Sequence, residues 1–267
     1  MDLNLSHICM AYVWSNMIQI KTSGFSAPGG GGLRGKITGF SDGSRRRMLE
    51  MMNKLTFESM TFVTLTYPAV FPADGRQVKE HLRRFRARLE KRFGKLTVVW
   101  RMEYQERGAP HFHLILLDAP FICRWWLSKA WVDSNDTKSM LNFRYGTNIK
   151  GIALKGDTQK IINYVCKYAG KVEEHERNEG NEWCGRFWGK WNYEEPTADR
   201  YIFEPGKAVG VVAGALSLRG NNQTWEPGNV MACRVFGGSV GSSEFGSIMA
   251  DSLQAAGCEC VTGELDN

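Results

Sequence analysis

Ala109-Pro110-His111-Phe112-His113-Leu114-Ile115-Leu116-Leu117 decides the fold class, because it sets two imidazoles two residues apart inside an apolar run. That is strand spacing: successive side chains alternate faces, so His111 and His113 project to one side while Phe112 and Leu114 go to the other. Upstream, Leu96 to Gln105 alternates in the same way, and Glu106-Arg107-Gly108-Ala109-Pro110 between the two runs supplies turn chemistry. The pair predicts an antiparallel hairpin. On that pairing Glu103 falls near the end of its strand, roughly opposite the histidines. Two neutral imidazoles and a carboxylate on one face make a site for Mg²⁺ or Mn²⁺. Glu106, in the turn, is the alternative third ligand. A His-x-His by itself serves equally well as two hydrogen-bonded histidines at a sheet edge, so the neighbouring segments decide its reading.

Working outward, Thr61-Phe62-Val63-Thr64-Leu65-Thr66-Tyr67-Pro68 is rich in β-branched and aromatic residues and stopped by proline, which predicts a buried strand. Gln77 to Phe93 predicts a helix, with Val78, Leu82, Phe85, Leu89 and Phe93 as its apolar stripe and a dense basic cover that includes Arg83 and Arg84. His81 lies off that stripe and is expected at the solvated surface. Ser41-Asp42-Gly43-Ser44 offers capping side chains to a short basic helix over residues 44–55, which carries Arg45, Arg46 and Arg47. Phe121 to Val132, with Trp125, Trp126 and Trp131, predicts a helix on the sheet, and Phe143 to Leu154 one or two short strands. The fold class is therefore α+β, an antiparallel sheet flanked by helices.

The 267 residues are 43% hydrophobic, enough for a packed core. No apolar run approaches the length of about 20 residues that spans a bilayer, and the N-terminus lacks a secretory pattern, which predicts a cytoplasmic protein with no membrane partner. Lys and Arg number 34 against 28 Asp and Glu, a formal net charge of +6. The positive charge is concentrated at Arg45 to Arg47 and between Lys79 and Arg92, a distribution that suits a polyanion, although solvated helix faces look the same. Seven scattered cysteines without a C-x-x-C pair fit neither a disulfide framework nor a structural zinc site.

The ends read differently from the middle. Residues 1–40 show no sustained period and contain Pro28-Gly29-Gly30-Gly31-Gly32, which predicts a flexible N-terminal extension. A core is expected over 57–175 within a domain of 41–204. Residues 180–204 interleave Trp183, Phe187, Trp188, Trp191 and Tyr193 with Arg186, Lys190 and Arg200, a pattern that serves either to stack on unpaired bases or to fill a core. From residue 205 to 267, Gly, Ser, Ala and Val dominate, which predicts a partly disordered tail or a small appendage anchored by Trp225 and Phe236.

One helix adds reactive groups. It is predicted to begin after Asp157 and to stop near Gly170. At about 100° per residue, Lys160, Lys167 and Lys171 fall within about 60° of Tyr164, and Tyr168 lies about 40° to the other side. The result is a stripe of two tyrosines and three lysines opposite Ile161, Ile162, Val165 and Ala169. A phenolate beside a metal-polarised phosphodiester can displace a deoxyribose 3′ oxygen, and the lysines would stabilise the charge that develops. The wheel favours Tyr164 as the first nucleophile, whereas the Y-x-x-K spacing is satisfied by both tyrosines.

Phe62-Val63-Thr64-Leu65-Thr66-Tyr67, Pro110-His111-Phe112-His113 and Tyr164-Val165-Cys166-Lys167-Tyr168-Ala169-Gly170-Lys171 occur in the order, and at roughly the separations, of the three motifs of the HUH superfamily of rolling-circle replication initiators. The last motif resembles the two-tyrosine version found in replication proteins of small single-stranded DNA phages, and the Arg45 and Gly185-to-Trp191 segments resemble the same phage and plasmid group. The resemblance implies a ferredoxin- or RRM-like core and a Mg²⁺- or Mn²⁺-dependent endonuclease that nicks single-stranded origin DNA. A 5′-phosphotyrosine link and a free 3′ hydroxyl would result. It makes His111, His113 and Glu103 metal ligands, Tyr164 and Tyr168 nucleophiles, and Lys167 and Lys171 their assistants. Arg45, Arg46, Arg47, Arg83, Arg84, Lys160, Arg186 and Lys190 are the expected DNA contacts. No G-x-x-x-x-G-K-[ST] loop is present, so host helicase and polymerase are the implied partners. A transposase or relaxase of the same superfamily, and a catalytically silent DNA-binding regulator, are the alternatives.

Overall fold

A computed structural model describes residues 8–22, 39–153, 185–218, 232–236 and 242–261. In chain order the elements are β1 (Cys9–Trp14), β2 (Met17–Thr22), α1 (Asp42–Lys54), β3 (Ser59–Thr66), α2 (Gly75–Phe93), β4 (Val98–Tyr104), β5 (Pro110–Leu117), α3 (Arg124–Asn135), α4 (Met140–Tyr145) and β6 (Thr147–Ala153). These are followed by β7 (Trp188–Trp191), β8 (Asp199–Phe203), α5 (Pro205–Leu218), β9 (Ala232–Phe236), α6 (Ser242–Ala255) and β10 (Glu259–Val261). The α+β class with antiparallel sheets and flanking helices is as expected, but there are two sheets: β6-β3-β5-β4-β7 and β10-β8-β1-β2-β9.

The first sheet is built around the predicted hairpin. In β5, Phe112 and Leu114 point to the face covered by α2 and α3, where Phe112 is fully buried and meets Trp100 and Trp131 edge-on at 6.5 and 6.3 Å between ring centres. The stripe of α2 contributes Val78, Leu82, Phe85 and Leu89 to this layer, all buried. Asp74 caps the helix by accepting the Arg76 N–H at 2.8 Å, and Gly94 at φ 80° ends it, a conformation that glycine adopts at little cost. The lower part of the opposite face is closed by the basic helix α1, whose Met48, Met51 and Met52 are buried in the same core as Met60, Val99, Ile115 and Leu117. The upper part of that face carries the histidines.

Several expectations need correction. The stretch read as a flexible extension contains the β1–β2 hairpin, in which Cys9, Ala11, Val13, Ile18 and Ile20 are buried. The stretch read as a partly disordered tail contains α5, β9, α6 and β10. Ala208, Val211, Val212 and Ala215 of α5 and Phe245, Met249 and Leu253 of α6, at helical spacings of three and four, close the core over that hairpin. Small residues hid the pattern: an Ala- and Gly-rich helix looks like low complexity until its partner strands, some two hundred residues earlier, are known. Met140–Tyr145, expected as strand, is a helical turn capped by Ser139, and only Thr147–Ala153 is strand.

His81 is also corrected, being 3% exposed with its Nδ1 3.0 Å from the Tyr67 hydroxyl. The wheel placed it among charged residues because it counted only apolar partners. In the aromatic–basic segment, Phe187 and Trp191 are buried and Trp188 and Tyr193 pack against the core, so these aromatics serve as core rather than as an exposed stack.

A candidate metal centre on the hairpin

Register brings the ligands together. Glu103 of β4 pairs directly with His111 of β5, and Thr66 of β3 pairs with His111 from the other side. The turn fixes that register: the Gln105 N–H donates to the Ala109 carbonyl at 3.0 Å, the Gly108 N–H donates to the Gln105 carbonyl at 2.7 Å, and Gly108 takes φ 78°. Arg107 then staples the turn to the end of β3, donating to the Tyr67 carbonyl at 2.6 Å and the Pro68 carbonyl at 2.7 Å.

His113 Nε2 lies 2.8 Å from Glu103 Oε1, and the rings of His111 and His113 are 4.5 Å apart. One ligand atom from each of Glu103, His111 and His113 falls within 4.8 Å of the other two, the one such acid–histidine group of three among the described residues. Glu106 stays in the turn. His111 Nδ1 is 2.8 Å from the Thr66 hydroxyl, which fixes the ring and leaves Nε2 for a cation. Burial, reinforced by the neighbouring His113, pushes His111 down to about 4, so it is a neutral ligand at physiological pH. Burial works against the Glu103 carboxylate, but hydrogen bonding from His113 and the charges of His113, His111 and Arg101 outweigh it and hold the acid ionised. A carboxylate between two neutral imidazoles within the span of one ion is a donor set that fits Mg²⁺, Mn²⁺ or a similar divalent cation.

The support around Thr66 was not visible in the sequence. Its carbonyl accepts from Trp131 Nε1 at 2.9 Å and Asn142 Nδ2 at 2.8 Å, and its N–H donates to the Gly146 carbonyl at 2.8 Å. A Cβ at Gly146 would overlap Asn142, so glycine is needed there. Arg101, in register with His113, is buried with its guanidinium 4.7 Å from the centre of the Phe40 ring. Neither the Thr66 brace nor Arg101 stands at a motif spacing; only strand pairing finds them.

The chain is similar to proteins of replication. Residues 60–173 match the family model for the replication-associated protein ORF2 group. That segment is less than half of the chain but contains β3 through β6 and all three ligands. The chain is also 26% identical over 176 residues to a Xylella fastidiosa (strain 9a5c) protein named "Putative replication protein XF_b0001". The aligned part covers 60% of this chain and 58% of that protein. No solved structure matches the chain.

The remaining expected site residues are scattered. Tyr164, Tyr168, Lys160, Lys167 and Lys171 lie outside the described residues. Arg83 is held by Glu80 through two 2.7 Å bonds and Arg84 by Asp136 and Glu80, so both are engaged in ion pairs on α2. Arg45 pairs with Asp42 at 3.5 Å, Arg47 donates to Ser44 Oγ at 3.2 Å, and Arg46 is exposed. Arg186 is exposed at the start of the last strand of the sheet, and Lys190 Nζ lies 3.6 Å above the Tyr193 ring.

Proposed function

We propose that this protein is a divalent-metal-dependent endonuclease and strand transferase that nicks single-stranded DNA at a replication origin. The observation that carries the reading is the Glu103–His111–His113 cluster on adjacent strands, inside the segment that matches a replication-associated family. A cation held by these three residues would act as a Lewis acid toward a phosphodiester oxygen. Thr66 orients His111, Glu103 supplies the negative charge, and the staple from Arg107 keeps the hairpin end in place.

Tyr164 or Tyr168 is the nucleophile in this reading, on the strength of the Y-x-x-K-Y-x-x-K pattern. Its phenolate oxygen bonds to the scissile phosphorus as the bond from phosphorus to the deoxyribose 3′ oxygen breaks, and the electron pair leaves on that oxygen, which takes up a proton. Lys167 and Lys171 stabilise the phenolate and the developing phosphate charge. The products are a 5′-phosphotyrosine and a 3′ hydroxyl that can prime synthesis, which would then draw on a helicase and a polymerase of the host.

Incubation with end-labelled single-stranded DNA and Mn²⁺, followed by a denaturing gel, tests the reading. A covalent adduct is expected from the natural protein, none after chelation, and none when Tyr164 and Tyr168 are both changed to Phe. Absence of an adduct from the natural protein, with tight DNA binding retained, would replace the enzyme by a silent DNA-binding regulator.

A further inference from the structure

Of the six large hydrophobic side chains that stand most exposed among the described residues, five belong to the start of α3 and to α4. These are Phe121, Trp125, Met140, Leu141 and Tyr145, at 66–90% exposure. Folding gives no reason to leave them in water, and a contiguous exposed apolar patch marks an interaction site. The two segments form one surface. The Trp125 and Phe143 rings are 5.5 Å apart at a 33° tilt, and Arg124 donates to the Arg144 carbonyl at 3.4 Å.

Two features identify the occupant. The first is charge: residues 119–132 and 138–156 contain no Asp or Glu but carry Arg124, Lys129, Lys138, Arg144 and Lys150, so the aromatics are set in a field of one sign. The second is position. Asn142 and Gly146, which bound α4, hold the backbone of Thr66, whose hydroxyl fixes His111. Beyond them, exposed Asn148 pairs with Thr64, which pairs with His113, and exposed Lys150 continues along the same strand face. The aromatic corner and the metal cluster are thus joined by a short polar and basic path at one end of the sheet.

We infer that the α3–α4 corner is a stacking platform for unpaired bases of the strand that is cut, with Trp125 and Tyr145 as the stacking rings and Arg124 and Arg144 on the flanking phosphates. The inference rests on the nuclease reading above. A strand whose scissile phosphate sits at His111 and His113 has to run away from it in both directions, and this is a surface beside the cluster that offers both π faces and cations.

The test is fluorescence anisotropy with labelled oligo(dT) and the full chain. Trp125→Ala combined with Tyr145→Ala should weaken binding at least tenfold, since each base stack contributes about 1–3 kcal/mol and 1.4 kcal/mol is a factor of ten. The matching Phe pair should stay within about threefold of the natural protein. Arg124→Ala should lower the slope of log affinity against log salt by roughly one, and the aromatic double variant should leave that slope unchanged. Both rings are exposed, and circular dichroism melts should confirm unaltered folding. Unchanged affinity in the double alanine variant would overturn the platform; if only the natural protein then self-associates in sedimentation, the patch is a protein interface. Patch-dependent binding of oligo(dT) without any adduct would sink the nuclease reading while leaving the platform standing. A natural protein that does not bind oligo(dT) at all would overturn both.

Discussion

The two sheets have five antiparallel strands each, yet they differ in how they are assembled and in what they carry. In the first sheet, β3, β4 and β5 come from one stretch of about sixty residues, and its upper face spends strand positions on Thr66, Glu103, His111 and His113 instead of on apolar side chains. In the second, β1 and β2 from the N-terminal region pair with β8 and β9 from beyond residue 199, and the face beneath α5 and α6 is apolar throughout. One sheet is a local hairpin that holds polar ligands in register. The other is a long-range closure that contributes core. They meet where α1 touches the β1–β2 turn: Asn16 N–H donates to the Asn53 carbonyl at 3.1 Å, Ser15 Oγ donates to the Leu55 carbonyl at 2.9 Å, and Lys54 sits 4.4 Å over the Trp14 ring.

The largest test of this contrast is a pair of core truncations. Phe112→Ala removes a fully buried ring behind the two histidines and should cost about 3–5 kcal/mol in denaturant unfolding, with loss of Mn²⁺ affinity, because the ligand strand shifts. Ile20→Ala, equally buried but in the second sheet, should cost about 2–5 kcal/mol and leave Mn²⁺ affinity in the folded protein unchanged. If both lower metal affinity alike, the division of labour between the sheets is wrong. Thr66→Val keeps the strand packing and removes the hydroxyl that orients His111, so calorimetry should find Mn²⁺ bound about 10- to 100-fold more weakly.

The smallest effect concerns pH. Burial, with the charge of Arg84, holds His81 below its ordinary value of 6.5. The unfolded chain therefore takes up a proton that the folded chain resists, and the stability from a neutral His81 is present above that value and lost as pH falls below it. His81→Gln should flatten the acidic limb of a denaturant-midpoint titration; an unchanged limb would mean that another group sets it.

The same contrast explains what was legible in the sequence. The hairpin, its turn and the choice of Glu103 over Glu106 followed from period-two alternation and a turn of defined length, all within about twenty residues. The basic helices followed from capping residues and spacings of three and four. The second sheet was missed because neither half of it is persuasive alone: six alternating residues near a glycine run, and an Ala- and Gly-rich helix near the end, become a core only when brought together. Thr66 was read as part of a strand but not as a support for His111, since that role depends on register with a strand forty-five residues later. Trp125 and Tyr145 carried no signal of exposure, because an aromatic in a helix reads as core by default.

The central claim is that Glu103, His111 and His113 form one cation site and that Glu106 does not belong to it. Calorimetric titration of Mn²⁺ into the natural protein, Glu103→Ala and Glu106→Ala tests this directly. The account predicts one site in the natural protein, unchanged in Glu106→Ala and weakened at least a hundredfold in Glu103→Ala. Equal affinity in all three, or a loss confined to Glu106→Ala, would contradict it.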